Sequence, residues 1–188
     1  MTGHTTTLYN RIKPNSLLLE IPLYLTFNLL LVACSYISIN LPFSPVPITG
    51  QTFGVLLLAM ALGRVRGTGV VLAYLLEGAA GLPVFAGGSA GLAKFMGPTG
   101  GYLIGFVAAA YLVGYFADKG WDRKYLSSIL AMAFGTAVIF LFGLSWLAYF
   151  VPTQALLTAG LYPFVPGALV KIGLAAVLLP SLWKIINK

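Results

Sequence analysis

Long apolar runs separated by short basic clusters constrain this chain more than any other feature. The runs cover residues 17–39, 52–62, 68–80, 100–116, 125–150 and 164–186. A helix needs about 20 mostly apolar residues to cross a bilayer. The chain is 59% hydrophobic and 8% charged, far from the make-up of a soluble domain. The expected fold is all-α: a polytopic integral membrane protein built as a six-transmembrane-helix bundle. Residues 1–16 are expected to form a cytoplasmic tail and residues 17–188 a single transmembrane substrate-binding domain. The second and third runs are too short to cross as straight helices unless neighbouring loops dip into the membrane, which places re-entrant-like loops beside them. Short Gly/Pro-interrupted apolar segments are also where transporters build binding sites.

The basic residues set the expected orientation. Arg11, Lys13, Arg64, Arg66, Lys119, Arg123, Lys124, Lys184 and Lys188 fall on one side, and only Lys94 falls on the other. Positive residues mark the cytoplasmic side, so both termini are expected there, in a cell membrane. The net charge of +7 comes from these scattered residues, without the aromatic-interleaved basic patch of a nucleic-acid binder. The first run is too long for a signal peptide and lacks a small-residue cleavage site. A lone Cys34 excludes an intrachain disulfide.

Lys171 lies in the first half of a membrane-length run, FVPGALVKIGLAAVLLPSLWKII, with Lys184 at its far end. A charge at the bilayer centre costs about 2.5–3.5 kcal/mol even on insertion scales. Such a residue faces a cavity or an anion, or snorkels to a headgroup. Glu77, in YLLEGAAGLPVF, is the matching intramembrane carboxylate. The two residues either pair with each other or both engage a ligand. Asp118 and Asp122 read as solvated loop residues. No His pair, GxSxG or Cys/His cluster suggests catalysis or a metal, and no cofactor is expected.

Three external loops, residues 40–51 (NLPFSPVPITGQ), 81–98 (GLPVFAGGSAGLAKFMGP) and 151–166 (VPTQALLTAGLYPFVP), are apolar, nearly uncharged and rich in Pro and Gly. They are expected to fold back over a cavity. Thr49 and Gln51 would supply uncharged polar groups there. GPTGGY at residues 97–102 reads either as an anion-friendly helix start or as a close-packing site. Trp146 and Tyr149 read either as interfacial aromatics or as a stacking wall.

Four strings in order, ISINLPFSPVPITGQTFGVLL, YLLEGAAGLPVFAGG, GPTGGYLIGF and YPFVPGALVKIGLAA, resemble the BioY family, the substrate-binding S component of energy-coupling-factor (ECF) vitamin importers. The resemblance implies a biotin pocket closed by the external loops, a transmembrane coupling subunit and two cytoplasmic ATPases as partners, and no enzymatic activity of its own. The expected substrate-binding residues are Thr49, Gln51, Glu77, Gly88, Ser89, Tyr102, Trp146 and Lys171. Two departures bear on the ligand. Ala168 stands where the family often has aspartate, and Ser89 where relatives carry asparagine. In the first run, Asn28 and Val32 replace small residues spaced by four. The alternatives are an S component for a different small vitamin, a membrane-embedded enzyme using Glu77, and a structural membrane protein.

Overall fold

A computed structural model describes residues 7–9 and 17–186. His4, Arg11, Lys13 and Lys188, and most of the expected tail, lie outside the described residues. Thr7, Leu8 and Tyr9 are buried against the helices rather than free, with the Arg66 guanidinium 4.4 Å over the Tyr9 ring.

The chain is mostly helical, and each apolar run carries a helix. These are α1 (Leu17–Tyr36), α2 (Gln51–Leu62), α3 (Arg64–Ala79), α5 (Gly100–Asp118), α6 (Tyr125–Leu147) and α8 (Val165–Ile186). The loops add short helices α4 (Ala93–Met96) and α7 (Leu156–Gly160). The helices therefore outnumber the six expected spans. Among the described residues, three helical runs are long and apolar enough to cross a membrane: α5, α6 and Thr153–Ile185. Glu20–Tyr36 and Gln51–Leu62 are apolar but shorter.

The first external loop corrects an all-α reading. Strands β1 (Ser38–Leu41) and β2 (Ser44–Thr49) form an antiparallel hairpin with Ser38 opposite Thr49 and Ile39 opposite Ile48. Pro45 and Pro47 are tolerated because each strand of a two-stranded sheet is an edge. The same prolines hide the strand from sequence reading.

α5 and α6 form the most extensive helix pair, and α2 and α3 both pack on α5. In hydrocarbon, close van der Waals packing between small residues replaces the hydrophobic drive between helices. A Cβ at Gly101 would collide with the Trp146 side chain and the Phe142 backbone, and one at Gly143 with the Tyr102 ring. Of the two readings of GPTGGY, close packing is the one its paired glycines serve. Large apolar side chains such as Leu25, Leu29, Leu141, Leu174 and Val177 point outward, as lipid contact requires.

Both loop aspartates are structural rather than solvated. The Asp118 carboxylate accepts the Arg64 backbone N–H at the start of α3, 3.4 Å away, where the helix dipole favours a negative group. Asp122, in the turn between α5 and α6, is fully buried and accepts a 2.5 Å hydrogen bond from the Trp183 indole of α8. Burial pushes its carboxyl up to about 6, against the opposing pulls of the Trp183 hydrogen bond and the Arg123 charge.

A candidate ligand-binding cavity beneath the loops

A cavity of about 530 Å³ lies between α2, α5, α6 and α8, under the hairpin and the loop that contains α4. Apart from Thr136 of α6, its floor and walls are apolar: Leu56 from α2, Leu103 and Phe106 from α5, Met132 and Ile139 from α6, Ile172 and Ala175 from α8. Its mouth carries the polar groups. Ser38, Thr49, Gln51 and Thr52 come from the hairpin side, Ser89 and Lys94 from the second loop, and Thr99 from the approach to α5. Lys94 and Lys171 line it, and among the described residues no carboxylate does.

Lys171 is on the cavity face of α8. Its Nζ donates to the Thr49 carbonyl at 2.5 Å and to Thr52 Oγ1 at 2.8 Å. An ammonium has three N–H donors, so this arrangement uses two of them. The intramembrane charge is thus held between the end of β2 and the first turn of α2, pointing into the cavity. Thr49 Oγ1 donates to Gln51 Oε1 at 3.2 Å, and Gln51 Nε2 donates to the Tyr74 hydroxyl at 2.5 Å. Gln51 is buried, so this chain fixes its amide orientation.

Of the expected site residues, Thr49, Gln51, Ser89, Tyr102 and Lys171 line the cavity. Glu77, Gly88 and Trp146 are not among its lining residues. Glu77 lies between α1 and α3, where its Oε1 accepts a 3.1 Å hydrogen bond from Asn28 Nδ2. Neither expected role of Glu77, pairing with Lys171 or meeting the ligand, matches that position. Asn28, the residue that broke the small-residue pattern of the first run, is there to satisfy this carboxylate.

Trp146 forms no part of the cavity lining because its indole is spent elsewhere: Nε1 donates to the Gly97 carbonyl at 3.0 Å, and its side chain covers Gly101. It clamps the loop ahead of α5. Tyr102 contributes ring surface to the lining, and its hydroxyl donates to the Gly160 carbonyl at 2.8 Å, tying α5 to the third loop. Gly88 has φ +76° next to Gly87 at +62°, a left-handed turn that residues with a Cβ adopt at a cost of about 1–2 kcal/mol each. This turn presents Ser89, whose hydroxyl donates to the Ala86 carbonyl at 2.8 Å.

The lids are tied down by single donors. Ser35 Oγ lies 2.6 Å from the Val84 carbonyl, and the Tyr36 hydroxyl donates to the Pro83 carbonyl at 2.7 Å, fastening the second loop to α1. Ser44 Oγ donates to the Ala159 carbonyl at 2.6 Å, fastening the hairpin to the third loop. The third loop supplies only Phe164 to the lining and otherwise buttresses the hairpin. Sequence reading missed Ser38, Thr52, Phe85, Phe106 and Thr136 as lining residues. Ser38 becomes visible only once the hairpin is known. Thr52 directly follows Gln51, but its role depends on Lys171 arriving from α8.

The BioY family model matches residues 9–188. A probable biotin transporter BioY of Pyrococcus horikoshii is 39% identical over 140 residues, 74% of this chain and 82% of that one. The biotin transporter BioY of Thermotoga maritima is 40% identical over 164 residues, 85% and 92% of the two chains. A crystal structure of the S-component for biotin from an ECF-type ABC transporter superposes with a TM-score of 0.80 at 29% identity, covering 92% of this chain and 95% of that one. On this agreement of sequence, fold and loop-covered cavity, the chain belongs to the BioY family.

Proposed function

We propose that the chain is the biotin-binding S component of an ECF-type uptake transporter, a binding subunit and not an enzyme. The observation that carries this reading is a loop-covered cavity with an apolar interior, a polar mouth, two lysines and no lining carboxylate. About 530 Å³ is the scale of a small-molecule site. Biotin matches it group by group: a thioether ring for the apolar interior, a hydrogen-bonding ureido head, and a carboxylate for the cations. In this reading Lys171 meets the carboxylate, Thr49 and Gln51 shape the mouth beside it, Ser89 borders the loop side, and Tyr102 walls the ring. Gly88 and Trp146 act from outside the cavity by holding the loop that presents Ser89 and the approach to α5.

The finer arrangement is part of the same proposal. All six long helices embed in the plasma membrane, α2 and α3 completing their passage through the adjoining loops, with the cavity open to the outside and both termini cytoplasmic. A transmembrane coupling subunit and two ATPases provide the energy, because a binding cavity without a second route cannot by itself drive accumulation.

Titration calorimetry on the purified chain in detergent tests this, with desthiobiotin and biotin amide as comparators. Saturable binding of biotin, weaker for the amide, is expected. A folded, monodisperse sample that binds no biotin overturns the reading and directs attention to other small vitamins. Lys171→Ala is expected to lose binding while keeping its melting temperature within a few degrees; unchanged affinity would remove Lys171 from the site.

A further inference from the structure

The cavity interior contains one polar side chain that the chain itself leaves unsatisfied. Thr136 lies on the lining face of α6 among Met132, Ile139 and Phe106, all nearly fully buried. Thr26 and Thr68, elsewhere in the molecule, return their hydroxyls to the carbonyl four residues earlier in their helices. The Thr136 hydroxyl makes no hydrogen bond within the described residues, and its half-buried side chain has the cavity to face. A hydroxyl in apolar surroundings without a partner is unfavourable, and a valine of the same shape would fill the position without that penalty.

Depth separates Thr136 from the cations. Eleven residues, about 16 Å of helix, lie between Thr136 and Leu147 at the loop end of α6. Lys171 is six residues, about 9 Å, from the start of α8 at the same end of the molecule. A ligand whose anionic end reaches Lys171 therefore carries its other end inward toward Thr136. Ala168, on the lining one turn before Lys171, offers no side-chain acceptor, and among the described residues no carboxylate lines the cavity to meet ligand N–H groups.

We infer that Thr136 is a specificity-determining residue, whose hydroxyl accepts a hydrogen bond from an N–H of the ligand's polar head at the inner end of the cavity. This rests on the biotin reading above, in which that head is the ureido ring. A neutral hydroxyl there favours a ligand with a cyclic urea or amide and disfavours one whose inner end is wholly apolar or charged.

The test is calorimetric titration of the wild-type chain, Thr136→Val and Thr136→Ser with biotin and with biotins methylated at one or the other ureido nitrogen. Thr136→Val should weaken biotin binding about five- to tenfold, the worth of one net hydrogen bond, while Thr136→Ser stays within about twofold of wild type. Methylation of one nitrogen should weaken wild-type binding and produce a markedly smaller loss in Thr136→Val, since the partner is already gone. Equal biotin affinities for wild type and Thr136→Val, or fully additive losses with both methylated ligands, overturn the inference and leave the biotin reading standing. If Thr136→Val does not fold, full wild-type affinity for both methylated biotins overturns it equally. Failure of the wild-type chain to bind any biotin overturns the biotin reading itself.

Discussion

At the scale of single residues, the molecule distinguishes charges that serve the cavity from charges that serve the fold. Lys171 belongs to the first group, and Glu77 and Asp122 to the second. Glu77→Gln keeps an acceptor for Asn28, so biotin affinity should change less than about twofold in titration calorimetry. Glu77→Leu would strand the buried Asn28 amide, and about 1–3 kcal/mol of stability should be lost in thermal melting with affinity intact. Asp122 predicts a pH dependence. Its carboxyl rises from 3.8 to about 6 on folding, so the folded chain holds this proton more tightly than the unfolded chain does between those values. The stability it contributes is complete below about pH 4, falls as pH rises through 6, and is flat above, a loss on the order of 3 kcal/mol. Asp122→Asn keeps an acceptor for the Trp183 indole and cannot ionise. Melting profiles from pH 4 to 8 should show this variant more stable than wild type at pH 7, with the gap closing toward pH 4. A constant gap across the range would mean Asp122 is not the titrating group.

At the scale of elements, helices and loops differ in how far sequence reveals them. The six long helices fall within a few residues of the apolar runs, because hydrocarbon demands satisfied backbone and a helix is the local way to provide it. The β1–β2 hairpin was not legible: the alternation in β1 (SINL) lasts only four residues, and the prolines of β2 (SPVPIT) argue against a strand. Ser44 also fastens it to Ala159, more than 100 residues away, a contact that no local pattern records. The same limit explains the site. Lys171 stood out by its cost alone, whereas Glu77 stood out by the same cost and proved to be answered by Asn28 on another helix. Trp146 stands out as an aromatic near the outer end of its run and Gly88 enters with the family resemblance, yet neither lines the cavity itself. Ser44→Ala should release one anchor of the hairpin. Ligand dissociation followed by filter binding should accelerate severalfold, and the melting temperature should fall by only a few degrees, since about 1 kcal/mol of hydrogen bond is removed without disturbing the helix core.

At the scale of the whole molecule, the orientation proposed above, with the cavity outside and the basic loops inside, is testable by labelling. Lys94 is exposed near the cavity mouth, and Lys119 is exposed at the far end of α5. In cells, a cysteine at position 94 (Lys94→Cys) should react with a membrane-impermeant maleimide. A cysteine at position 119 (Lys119→Cys) should react only after permeabilisation, in both cases with Cys34 replaced by alanine. The reverse pattern would invert the proposed topology.

Helix α8 is bolted at two places: Lys171 to the hairpin and the start of α2, and Trp183 to the buried Asp122 between α5 and α6. Twelve residues, about 18 Å of helix, separate the bolts. A rod secured near both ends cannot slide like a piston without shearing one fastening. A tilt or a twist of α8 preserves both fastenings and is therefore the less costly way for this helix to move. An axial stroke of this helix would break at least one of these fastenings, at a cost on the order of 1–3 kcal/mol.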